Sequence, residues 1–124
     1  MQASYVRFFA DEDGESHIED VTVGLDLQDF APPADPVNIG PFLPASGTLW
    51  FGADPGWDGA AFHPTPQRQI FCVVRGQIEG TTSDGAVRQL GPGEVVLLED
   101  TEGKGHSTRV IGDEELLMLG VVLD

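Results

Sequence analysis

The residues best suited to chemistry in this chain are two histidines, His63 and His106, and the polar groups spaced around them. His63 opens the segment His63-Pro64-Thr65-Pro66-Gln67-Arg68-Gln69, which continues through apolar residues to Gly76. His106 closes the segment Glu99-Asp100-Thr101-Glu102-Gly103-Lys104-Gly105-His106, which follows the apolar run Val95–Leu98. An imidazole can ligate a metal, move a proton or accept a hydrogen bond near neutral pH. Gln69 offers an amide oxygen and an amide donor. Glu99 and Asp100 could act as catalytic bases or complete a two-histidine, one-carboxylate set of the kind that holds non-haem Fe(II). Lys104 or Arg68 could hold an acidic group, and Asp100 a hydroxyl or amine. The expected ligand-binding set is therefore His63, Gln69, Asp100, Lys104 and His106, with His63, His106 and Gln69 as the metal-binding candidates.

These residues need a scaffold, and the sequence reads as strands throughout. No stretch of ten or more residues shows an apolar stripe at helical period with caps, whereas short apolar runs broken by turn signals recur. Strands are expected near 5–10, 21–27, 48–52, 60–63, 69–75, 77–82, 86–90, 94–98, 106–111 and 115–123. Ser83-Asp84-Gly85 marks a hairpin, since glycine accepts positive φ. Alternation along a regular strand puts His63, Thr65, Gln69, Phe71 and Val73 on one face and Arg68, Ile70, Cys72 and Val74 on the other. So many short strands predict an antiparallel, closed or nearly closed fold. Asp29–Pro44 holds five prolines and is expected to be an extended arm that wraps the barrel or covers one mouth.

Composition narrows the function classes. A length of 124 residues suits one domain. The net charge of −15 argues against nucleic acid and against an anionic membrane surface, because both need clustered Lys and Arg. Nine acids lie between Asp11 and Asp35, opposed in that stretch only by His17, and read as a solvated, self-repelling surface. The longest apolar run, Leu116–Leu123, is too short to cross a bilayer, and the N-terminus lacks the form of a signal peptide, so a cytoplasmic location is expected. The one cysteine, Cys72, has no internal partner for a disulfide. A P-loop, an EF-hand and a serine-nucleophile elbow all fail on spacing.

The two histidine segments resemble the two motifs of the cupin superfamily. In the first motif, a His-x-His pair is followed by Glu and then Gly; here His63, Thr65, Gln69 and Gly76 stand at those positions. In the second, Gly93 starts the motif, Glu99 and Thr101 replace its Pro and Gly, and His106 arrives two residues late. The resemblance covers roughly residues 59–110. It implies an all-β, double-stranded β-helix (jelly-roll) barrel of the RmlC-like kind, with a degenerate metal motif. The whole of 1–124 would be one cupin-like domain, divided into N-terminal strands and Pro-rich arm (1–58), core motifs (59–110) and C-terminal strand (111–124).

The resemblance also implies a divalent metal (Zn, Fe, Ni or Mn), but Thr65 and Gln69 stand where an imidazole and a carboxylate are expected. The competing expectation is a metal-free polar pocket in which His63, Gln69 and His106 bond one another or water. Three functions follow: a cupin that binds a small molecule in its pocket, a metal-dependent dioxygenase or isomerase, and a non-catalytic sensor or structural barrel. A homodimer is implied as well, with the C-terminal strand Leu116–Leu123 and the N-terminal strand as contributors.

Overall fold

The computed structural model describes all residues, Met1–Asp124. It contains strands and turns and no helix, so no helix is long and apolar enough to cross a membrane. The strands are β1 (Gln2–Ala10), β2 (Ser16–Gly24), β3 (Asp26–Gln28), β4 (Val37–Ile39), β5 (Ala45–Ala53) and β6 (Asp58–His63). They continue as β7 (Gln69–Arg75), β8 (Gln77–Thr82), β9 (Val87–Leu90), β10 (Val95–Leu98), β11 (His106–Ile111) and β12 (Leu116–Leu123).

Ten of these strands form two sheets. One has the order β2-β1-β10-β7-β12-β5, the other β6-β11-β8-β9, and β3 pairs only with β4. Every pairing is antiparallel except β1 with β10. Two expectations change. The segment 21–27 is split between β2 and β3, and β2 begins earlier, at Ser16. Its acids disguise it, because Asp and Glu are poor strand formers, yet an edge strand can turn them to water. The proline-rich arm is mostly irregular but gives β4.

The two strands expected to contribute to a dimer both lie inside the six-stranded sheet. β1 lies between β2 and β10, and β12 lies between β7 and β5. Their backbone groups are taken within the chain, as a central strand requires.

Inward-facing residues of both sheets meet in one apolar cluster, which includes Val6, Phe8, Phe71, Val73, Ile78 and Met118. The strand alternation is visible in β7, where Phe71 and Val73 are buried and Val74 and Arg75 are exposed. Phe8 is 2% exposed and sits tightly on Gly80, where a Cβ would come within 2.6 Å of its ring. Phe8 thus joins the two sheets through a position that only glycine fits. Replacing Phe8 with Ala is expected to destabilise the fold by about 3–5 kcal/mol, measured by denaturant unfolding. A loss below about 1 kcal/mol would show that the contact between the sheets does not depend on this ring.

Candidate functional site

The two sheets enclose a cavity of about 370 Å³. Its walls are apolar along most of their length, with Phe8, Phe51, Trp57, Phe71 and Met118 among them. Polar side chains gather where His63, Thr65, Gln69 and His106 line it. A polar pocket was one expectation; the cavity is polar where His63, Gln69 and His106 meet and apolar over most of the rest of its wall. Most lining positions are aliphatic or aromatic, and the polar side chains among them are His63, Thr65, Gln69, His106 and, on β11, Thr108.

Local structure brings the polar group together. His63 ends β6 and His106 begins β11, and the two are direct partners in the antiparallel ladder. Their rings lie 5.8 Å apart, tilted by 43°. Gln69 reaches the same place from the opposite sheet, at the start of β7, level with Leu98 and Phe8. Gly105 permits the close approach of the two histidine segments. Its φ is +71°, and a Cβ there would run into the backbone carbonyl of His63.

Behind His106 lies a buried relay. Asp100 is fully buried; its Oδ1 accepts the Thr65 hydroxyl at 2.8 Å and its Oδ2 meets His106 Nδ1 at 2.6 Å. A carboxylate only accepts, so Nδ1 carries the proton and donates it to Asp100. The backbone repeats the link, since Thr65 N–H donates to the Asp100 carbonyl. Phe8 packs edge-on against the His106 ring, with centroids 5.3 Å apart. Tautomer and orientation of His106 are therefore fixed from behind. Its Nε2 has no protein partner, and no buried side-chain nitrogen or oxygen lacks one, so Nε2 opens to the cavity. His63 is exposed and differs in its partner, for its Nδ1 donates to the Pro64 carbonyl at 3.0 Å.

The carboxylates and the lysine do not join this group at the cavity. Asp100 stands behind His106 rather than in the wall. Glu99 turns to the other side, where Arg7 and Arg68 hold it. Burial pushes Glu99 toward the protonated form, but the hydrogen bonds from those two arginines outweigh it and keep its carboxyl below the usual range. Lys104 is exposed and donates to Glu15 at 2.7 Å. The residue types were visible in the sequence. The direction each one faces depends on the bend of 99–105, which has no periodicity to read.

The donor set does not fit a divalent transition metal. Two imidazoles and one amide oxygen face the cavity, and no group of three or more His, Cys, Asp or Glu side chains is placed to share an ion. A stable site of this kind needs a charged ligand or a third imidazole. The only nearby carboxylate, Asp100, already accepts a bond on each oxygen.

A second polar cluster anchors the loop that carries Asp100. Ser16 donates to the Gly105 carbonyl at 2.6 Å, and Lys104 N–H donates to the Gly14 carbonyl. Beside them, His17 bonds Asp11 through Nε2 at 2.6 Å and Asp84 through Nδ1 at 3.0 Å. The bond to Asp11, aided by Asp84, outweighs desolvation and raises the His17 pKa. Asp11 is lowered chiefly by His17, and Asp84 chiefly by the Thr82 hydroxyl. This clip is invisible in the sequence, because its members are spread along the chain: a turn residue, a strand residue and a hairpin residue. The acidic stretch is also countered from afar, with Arg7 on Glu19 and Arg88 on Asp20.

Comparisons with known proteins agree with this architecture. No protein-family model matches the sequence, and no curated protein matches it. Among solved structures, an uncharacterized conserved protein with a double-stranded beta-helix domain from Klebsiella pneumoniae is similar at 26% identity and TM-score 0.50, over 61% of each chain. This chain thus matches less than two thirds of that protein. A cupin 2 conserved barrel domain protein from Salinispora arenicola shares 22% identity at TM-score 0.50, over 82% of this chain and 76% of that one. The Cnp3 cupin domain of Schizosaccharomyces pombe shares 15% identity at TM-score 0.50, over 99% of this chain and 84% of that one.

Two outcomes follow from the site. Asp100→Ala strands the Thr65 hydroxyl and frees the His106 ring, and is expected to destabilise the fold by about 2–4 kcal/mol. In the same variant, the nitrogen NMR signals of His106 should lose their preference for the Nδ1–H tautomer; an unchanged tautomer would remove Asp100 from its orienting role. The His17 clip predicts a pH window. A raised histidine stabilises fully below its ordinary value of 6.5, and that contribution is lost as pH rises through its folded value. The lowered Asp11 and Asp84 stabilise fully above their ordinary 3.8, and that contribution is lost as pH falls through their folded values. The melting-temperature gap between wild type and His17→Asn should therefore be widest between those two values. A gap that does not vary with pH counts against the clip.

Proposed function

We propose that this chain, whose double-stranded β-helix fold is that of the cupins, binds a small, uncharged, mainly aromatic molecule that carries one hydroxyl group. The observation that carries this reading is the asymmetric cavity, apolar along its walls with His63, Gln69 and His106 gathered where it turns polar. Its volume of about 370 Å³ falls at the lower end of the usual range for small-molecule sites.

The chemistry of the head group follows from His106. Its Nδ1 proton is committed to Asp100, which leaves Nε2 as an acceptor in the neutral ring. A hydroxyl can donate to that nitrogen while accepting from the Gln69 amide. Phe8, Phe51, Trp57 and Phe71 suit an aromatic body, through edge and offset contacts. An acidic ligand suits the site poorly. No Lys or Arg lines the cavity, and the chain as a whole carries −15. Nothing in this reading requires a metal.

Calorimetric titration with 2-naphthol, naphthalene and 2-naphthoate tests it. Naphthol should bind, naphthalene should bind about tenfold more weakly for want of the hydrogen bond, and naphthoate should not bind. His106→Ala should erase the difference between naphthol and naphthalene. Equal binding of all three, or binding of none, overturns the reading.

A further inference from the structure

We propose that His17 is a pH switch on the cavity: its charged ring clamps two turns around Ser16, and loss of its proton loosens the Ser16 link that holds Gly105 and so positions His106. The proposal rests on the reading of that cavity as a ligand site.

The switch lies in the number of donors. Both ring nitrogens of His17 face carboxylates, Asp11 Oδ2 at 2.6 Å and Asp84 Oδ2 at 3.0 Å. A carboxylate only accepts, and only the charged imidazole donates from both nitrogens. The neutral ring keeps one N–H and turns a lone pair on the other carboxylate. One contact must then open, and the surroundings decide which. Asp11 is the nearer of the two. Asp84 has other donors, since its Oδ1 accepts the Thr82 hydroxyl at 2.7 Å and the Ala86 N–H at 3.0 Å. The contact given up is therefore His17 to Asp84, which frees the β8–β9 hairpin from the β1–β2 turn.

The other charges nearby are already paired. In the β1–β2 turn, Glu15 accepts from Lys104 of the loop 99–105 at 2.7 Å. Glu19, two residues along β2, accepts from Arg7 at 2.6 Å. On the β1 side His17 meets the Phe9 ring, with centroids 5.4 Å apart, and Arg7 lies over that ring at 4.4 Å. His17 is the group in this cluster that changes charge near neutral pH. Its bond to Asp11 outweighs desolvation and raises it above 6.5, so the clamp is complete below that value and is lost as pH rises through the folded one.

The path to the cavity is short. Ser16 precedes His17 and is fully buried. Its N–H donates to Ser83 Oγ at 2.7 Å, and its own oxygen accepts the Ser83 N–H at 2.7 Å. Its hydroxyl donates to the Gly105 carbonyl at 2.6 Å. Ser83 in turn precedes Asp84, so the contact of His17 with Asp84 closes from outside the junction that the two serines close from within. Gly105 packs on the His63 backbone and precedes His106. A shift of Gly105 therefore moves His106 against both Asp100 and the cavity. Two sites and two states of the clamp supply what coupling between them requires.

Calorimetric titration of the full chain with 2-naphthol between about pH 5.5 and 8.5 tests the switch. Affinity should fall about fivefold as His17 loses its proton. His17→Gln, neutral throughout, should remove that step. Ser16→Ala should remove it too, while the His17 ring, followed by NMR, still titrates. The ligand-free protein gives an independent readout. There the ring signals of His106 should show an inflection at the pH where His17 titrates, and His17→Gln should lack it. That readout decides if Ser16→Ala does not fold. It also decides if 2-naphthol binds at no pH, a result that sinks the ligand reading and not the switch. An affinity step shared by wild type and His17→Gln, a step unchanged in folded Ser16→Ala, or His106 signals indifferent to His17 overturns it.

Discussion

A carboxylate buried without water must find hydrogen bonds, and the candidate site is organised around how Asp100 finds them. It accepts the Thr65 hydroxyl and the His106 Nδ1–H, and its carbonyl accepts the Thr65 amide. Those bonds hold three separate pieces of chain together: the Pro64–Pro66 segment, the loop 99–105 and the start of β11. Such a network works as a unit, because removing any member leaves the others buried and unpaired. The rest of the local architecture serves it. Phe8 closes one side of the His106 ring, and Gly105 allows the His63 backbone to come close.

The same network explains why the histidines face the cavity differently. His106 is buried and clamped, with one nitrogen committed and the other open to the cavity. His63 is held by a carbonyl of its own segment and stays in contact with solvent. A carboxylate that could have approached an ion now stands behind an imidazole and sets its tautomer. The two imidazoles, together with Gln69, form a hydrogen-bonding end to an apolar chamber.

Charge is sorted with equal clarity. Arg7, Arg68, Arg75, Arg88, Lys104 and Arg109 all pair with carboxylates at the surface, and none lines the cavity. Exposed pairs of this kind add little stability individually. Their effect here lies in position: Lys104 with Glu15 pins the loop that bears Asp100, and His17 ties the turn at Asp11 to the hairpin at Asp84.

Much of the fold was legible because strand periodicity and turn chemistry are local. Alternation along Gln69–Val74 sorted Phe71 and Val73 inward and Val74 outward, and Ser83-Asp84-Gly85 announced its hairpin. The match of His63, Thr65, Gln69 and Gly76 to a cupin motif pointed to the barrel, and the solved structures share it. The acid-rich start of β2 was hidden, since Asp and Glu say little about an edge strand. The site was legible in its members and not in its geometry. That Asp100 turns inward while its neighbour Glu99 turns out depends on which partners the rest of the chain brings near: Thr65 and His106 for one, Arg7 and Arg68 for the other. The sequence by itself determined the all-β barrel and the pairing of two histidine segments, because backbone alternation and glycine turns act within a few residues. Only the tertiary structure decided that the chamber is apolar and that Asp100 orients His106, because those outcomes rest on contacts between residues far apart in the chain.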